Sequence, residues 1–159
     1  AADVYKRQFS DDIRDAVKGH VFYMDELGFV NGAADRGEEL KQAVTCAKWA
    51  KSPMQSINYL SCHDNYTLWD RFIISNSHES EEMRIRMNKL AAAILFTAQG
   101  IPFFLHGEEF ARTKISEADG APVENSYCSP LSVNAIDYDR AEQFSDLKAY
   151  YKGLSLIHI

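Results

Sequence analysis

The sequence predicts an α/β fold assembled from parallel strand–helix units. Two observations carry that reading. Short apolar runs at Gln55–Cys62 and Ile101–Leu105 alternate with segments of helical periodicity, the order expected of a parallel sheet with crossover helices. Each run also ends in ionisable residues, His63-Asp64-Asn65 after the first and His106-Gly107-Glu108-Glu109 after the second. Strand ends of this kind are where a (β/α)8 barrel keeps its chemistry. A complete barrel takes about 250 residues, so a chain of 159 residues is expected to hold an incomplete (β/α)8 TIM barrel.

Each element has its own signal. Ser10, Asp11 and Asp12 are good caps ahead of IRDAVKG, with Gly19 as a stop, so Phe9–Phe22 reads as one short helix or an irregular segment after a strand. Residues 25–37, rich in Gly, Asn and Asp, read as loop. Glu38–Ala50 reads as a helix, with Leu40, Ala43, Val44 and Ala47 at helical spacing, ended by Pro53. Ile57, Tyr59 and Leu60 make Gln55–Cys62 a buried strand. Helices are expected at Thr67–Ile74 and Ser80–Ala98, the latter with a Met83, Met87, Leu90, Ile94 stripe read as core and Gly100 as its stop. Residues 113–137 read as a long polar loop, and Ser145 caps a final helix to Tyr151.

Composition excludes several classes. The chain is 46% hydrophobic and 12% aromatic, against disorder. Its formal charge of −6 is unlike the basic face of a nucleic-acid binder, and no run of about 18 apolar residues indicates a membrane span. Cys46, Cys62 and Cys128 form no zinc box or even disulfide framework, so free thiols are expected. The histidines fall at no zinc spacing and there is no phosphate-binding loop; no metal or cofactor is expected.

The two ends are related through the genetic code. Asp3–Gln8 reads DVYKRQ, and one spelling of it is GAT GTG TAT AAG AGA CAG. Its reverse complement, CTG TCT CTT ATA CAC ATC, encodes LSLIHI, the sequence of Leu154–Ile159. The word resembles a transposon end used to fragment DNA for sequencing. The expectation is that residues 1–8 and 154–159 are translated adapter, that residues 9–153 are the natural part, and that the natural chain continues past both ends.

Among the strand-end clusters, SCHDN (Ser61–Asn65) is the sharpest. A carboxylate beside an imidazole suits sugar chemistry, which needs hydrogen bonds to ring hydroxyls and negative charge near a developing oxocarbenium ion. On spacing alone, Asp64 or Asn65 capping the following helix is the stronger reading. For Glu108 and Glu109, a buried ion pair with a partner such as Arg112 outweighs catalysis, and His106 reads as a satisfied strand-end partner.

A resemblance strengthens these signals. FSDDIRDAVKG, INYLSCHDNYTLWDRF, GIPFFLHGEEFARTK and ENSYCSPLSVNAIDYDR, in that order, resemble the last part of the catalytic domain of type I pullulanases, debranching enzymes of the alpha-amylase superfamily (glycoside hydrolase family 13). The resemblance implies a (β/α)8 barrel fragment of roughly strands six to eight, with Gln55–Cys62 as strand seven and Ile101–Leu105 as strand eight. It implies retaining hydrolysis of alpha-1,6 branch linkages in pullulan, starch or glycogen, with an alpha-glucan as partner. The Asp nucleophile and Glu acid/base of that family fall before Phe9, so the chain alone is expected to be inactive and to lack the rest of its barrel.

Asp64 matches the family's third carboxylate, a transition-state stabiliser. His63 matches the histidine on the sugar hydroxyls, and Asn65 a neighbouring pocket residue. Asn125 and Tyr127 match a substrate-contacting loop, and Glu109 matches a structural strand-eight Glu. His106, Glu108 and Tyr138 depart from the family pattern. The alternatives are an isoamylase-type glycogen debrancher and a noncatalytic carbohydrate-binding module. The latter is disfavoured because Trp49 and Trp69 both sit in expected amphipathic helices.

Overall fold

The computed structural model describes residues 6–158; residues 1–5 and 159, at the outer ends of the two terminal stretches, lie outside the described residues. Three strands, β1 (Gln8–Ser10), β2 (Ser56–Asn58) and β3 (Ile101–Pro102), form one sheet in the order β1-β2-β3. Both pairings are parallel, with Phe9 opposite Ile57 and Ile57 opposite Ile101. Parallel neighbours require a crossover. The helices α1 (Asp11–Lys18) and α2 (Gly37–Thr45) supply the first, and α3 (Leu68–Ser75) and α4 (Glu81–Thr97) the second. After β3 come α5 (Leu131–Asn134), α6 (Asp139–Gln143) and α7 (Ser145–Ser155). The α/β architecture with a parallel sheet is therefore as expected.

Helix α4 is the spine. Its Met87, Ala91 and Leu95 join Ile13, Val17, Leu60, Leu68 and Phe72 in one core. Its Ala92 and Phe96 join Trp69, Phe110, Phe144, Leu147 and Tyr151 in a second. Ser80 caps it, its hydroxyl accepting from the Met83 amide at 3.2 Å. The expected Met83–Ile94 stripe holds by half: Met87 is buried and Ile94 packs against the first core, whereas Met83 and Leu90 are 37% and 44% exposed. The buried arc starts at Met87 and runs the other way round the helix, where alanines let neighbouring helices approach.

Other differences are local. The paired strands are shorter than the apolar runs, because Tyr59, Leu60 and Ser61 continue buried but without strand pairing. Helix α2 stops at Thr45, not Ala50; Cys46 turns extended and the Lys48 amide donates to Asp12 Oδ2 at 3.2 Å. Trp49 consequently lies outside any helix and is 44% exposed, contrary to expectation, while Trp69 is buried in α3. The 113–137 loop contains α5 and an antiparallel bridge between Ile115 and Pro122. Ser145 is the first residue of α7 and not its cap, which is Phe144, anchored in the second core. Helix α7 runs on into the 154–159 stretch, where His158 Nε2 lies 2.6 Å from the Phe96 carbonyl.

One loop is closed at its neck. Gly19 has φ +87°, and a Cβ there would sit 2.0 Å from the Glu26 carbonyl; a Cβ on Gly28 would sit 2.3 Å from the Val17 carbonyl. Only glycine permits this crossing. The buried Arg71 fastens it, donating to the carbonyls of Lys18, Tyr23 and Glu26.

Candidate functional site

Beyond β2 the chain surfaces abruptly. Leu60 and Ser61 are buried, whereas the side chains of His63 and Asp64 are 84% and 61% exposed. Asn65 adopts φ +60°, a left-handed turn that asparagine tolerates. Beneath the turn lies Lys114, 2% exposed, whose Nζ donates to the Asn65 carbonyl at 2.8 Å and the His63 carbonyl at 3.4 Å. Lys114 also reaches the Glu124 carbonyl at 3.5 Å, so one ammonium ties two loops together.

Lys114 is itself positioned by Asp70 of α3. Asp70 Oδ2 accepts from the Lys114 amide at 2.9 Å and Oδ1 from the Thr113 hydroxyl. Burial raises the Asp70 carboxyl above its ordinary range, with those hydrogen bonds opposing the shift. Thr67, not Asp64 or Asn65, caps α3, its hydroxyl accepting from the Asp70 amide at 3.0 Å. The capping reading of Asp64 is thereby overturned. Released from a cap, its carboxylate faces solvent with Oδ2 3.4 Å from His63 Nε2.

An open cleft of about 390 Å³ lies at this end of the sheet, lined by Phe22, Asp64, Asn65, Glu124 and Asn125. His63 lines a small adjoining cavity with Cys62, Leu105, Arg112 and Lys114. Asp64, Asn65 and Asn125 are thus brought together, and His63 borders them. Tyr127 is 79% exposed and does not line either cavity.

The second strand-end cluster divides. Glu109 Oε2 accepts from the Gly107 amide at 2.9 Å. Arg112 pairs with neither glutamate but donates to the His106 and Asn134 carbonyls, at 3.1 and 2.8 Å. His106 is exposed, with ring contacts to Phe110 and Tyr138. Glu108 is fully enclosed. It accepts from the Ser61 hydroxyl, and its Oε1 lies 3.2 Å from the Tyr151 hydroxyl. Burial pushes its carboxyl up to about 7, while Ser61 and the Lys18 ammonium pull it back. Burial likewise lowers Lys18 to about 8, Glu108 opposing. Sequence reasoning missed Lys114, Asp70 and Lys18; a charged residue that folding buries carries no mark in a single sequence. Cys62, His63 and Asp64 are the described residues whose donor atoms could hold a metal, lying within 4.8 Å of one another.

In sequence and in its parallel α/β fold, the chain is related to the pullulanases. The pullulanase of Bacillus subtilis (strain 168) is 37% identical over 153 residues, covering 92% of this chain and 20% of that protein. The crystal structure of the Paenibacillus barengoltzii pullulanase in complex with maltohexaose and alpha-cyclodextrin superposes with a TM-score of 0.87 at 41% identity, over 95% of this chain and 24% of that one. That of the Bacillus acidopullulyticus pullulanase gives 0.85 at 38% identity, over 93% and 18%. The chain therefore spans about a fifth of the length of these three proteins. No family profile matches it.

Proposed function

We propose that this chain is the later part of a pullulanase-type (β/α)8 barrel, roughly strands six to eight, from a retaining enzyme that cleaves alpha-1,6 branch linkages in alpha-glucans. The observation that carries this reading is the His63–Asp64 pair, 3.4 Å apart and solvent-facing at the end of a parallel strand. In this reading His63 and Asn65 bind sugar hydroxyls. The Asp64 carboxylate holds hydroxyls of the distorted ring and stabilises positive charge at the anomeric carbon. Asn125 extends the contact surface, Tyr127 contacts substrate further out, and Glu109 shapes the Gly107 turn.

Retaining hydrolysis needs a nucleophile and an acid/base about 5 Å apart. By the family resemblance those two carboxylates precede Phe9, so the chain alone binds glucan without cleaving it. Residues 9–153 are the natural part in this reading, and residues 1–8 and 154–159 derive from an adapter. Titration of the purified chain with maltotriose, followed by NMR, tests the site. The expected result is shifts confined to the cleft and its rim, residues 22, 63–65, 124, 125 and 127, lost in His63→Ala and Asp64→Asn. Shifts elsewhere, or unchanged binding in both variants, refute the assignment, and pullulan hydrolysis above a blank refutes inactivity.

A further inference from the structure

The turn that presents His63 and Asp64 also presents Cys62, and a thiol, an imidazole and a carboxylate then lie within 4.8 Å of one another. We propose that Cys62, His63 and Asp64 form a Zn2+ site whose occupancy excludes alpha-glucan from the cleft. The exclusion, though not the metal site, rests on the reading given under Proposed function.

The donor set matches the ion. Zinc takes thiolate, imidazole nitrogen and carboxylate oxygen, and three protein ligands leave a fourth position open. Bonds of about 2.0–2.3 Å place tetrahedral donors about 3.3–3.8 Å apart. His63 Nε2 and Asp64 Oδ2 are already 3.4 Å apart. Cys62 Sγ lies 3.9 Å from the Asp64 carbonyl, so the thiol shares that side of the turn. Closing the triad takes side-chain rotation only, because the imidazole and carboxylate stand in solvent. The backbone need not move, since Lys114 already ties the carbonyls of His63 and Asn65.

That buried ammonium is the one feature of the turn that opposes a nearby cation, and it is occupied by the carbonyls of His63 and Asn65. Calcium and magnesium take oxygen ligands, whereas two of the three donors here are sulfur and nitrogen. Competition with sugar follows from atom identity: His63 Nε2 and Asp64 Oδ2 cannot serve a metal and a ring hydroxyl together.

Cobalt(II) titration of the intact chain supplies the test. The expected result is a near-ultraviolet thiolate-to-cobalt band that Zn2+ abolishes and that survives in a Cys46→Ser/Cys128→Ser double variant. It disappears in Cys62→Ser, whose circular dichroism reports folding. His63→Ala weakens Co2+ by at least the roughly 10- to 100-fold that loss of even an outer-shell partner costs. No band in the wild type, a band in Cys62→Ser, or a band lost in the double variant overturns the site. Maltotriose is expected to raise the apparent Co2+ dissociation constant. A band as described with no maltotriose binding keeps the metal site and sinks the glucan reading; maltotriose binding without a band does the reverse.

Discussion

At the scale of single residues, Glu108 has the clearest consequence. Its carboxyl rises from 4.5 to about 7 in the fold, chiefly through burial. Between those values the folded chain keeps a proton that the unfolded chain has released. Its contribution is therefore full below pH 4.5 and is lost as pH climbs to 7. Lys18, lowered from 10.5 to about 8, acts oppositely: the unfolded chain binds the extra proton between 8 and 10.5, so stability recovers with rising pH there. Glu108→Gln keeps an acceptor for Ser61 and removes the titration. The expected outcome is a urea midpoint whose fall between pH 5 and 7 is visibly shallower than in the wild type. An unchanged slope would show that Glu108 does not bind the proton. His63 and Asp64 were only weakly legible from the residues, since such a pair at a strand end more often caps the next helix. The resemblance to the pullulanases is what singled them out. Glu108 was legible only as half of a GEEF pair, since the sequence does not say which of two adjacent glutamates turns inward.

At the scale of elements, α3 shows how a helix start can position a site. Thr67 caps it, and the helix then delivers Asp70 to Lys114 and Lys114 to the 63–65 turn. Thr67→Ala is expected to destabilise the chain by about 1 kcal/mol, within the usual range for a lost cap, read as a lower thermal midpoint. A neutral result would show that the Asp70 amide finds another acceptor. Helix positions were legible from periodicity and caps: α3 and α4 begin within a residue of expectation. Ends were less so. Helix α2 stops where Asp12, distant in sequence, captures the Lys48 amide, and the stripe on α4 rotated because two cores, not one, lie against it.

At the scale of the whole molecule, the three-stranded sheet has two edges among the described residues, at β1 and β3. The rings of Phe9 and Phe103 lie 5.1 Å apart in one patch between them, on residues 39% and 36% exposed. Unprotected edges with nearby apolar surface template association. Light scattering is expected to show mass rising with concentration, and Phe9→Lys is expected to suppress it; a monomer at all concentrations would contradict this. The α/β class and parallel order were legible because short apolar runs between helices leave few alternatives. Strand lengths were not, since apolar residues continue past the last ladder bond.

The pinched neck at Gly19 and Gly28 separates the content of the intervening bow from the integrity of the scaffold. Because Arg71 and backbone contact seal the two ends against each other, residues such as Phe22 and Tyr23 can be exchanged, or the bow lengthened, at small entropic cost. Phe22 walls the cleft beside Asp64. Diversifying this one bow is thus a way to reshape the wall of that cleft while the frame below stays as it is.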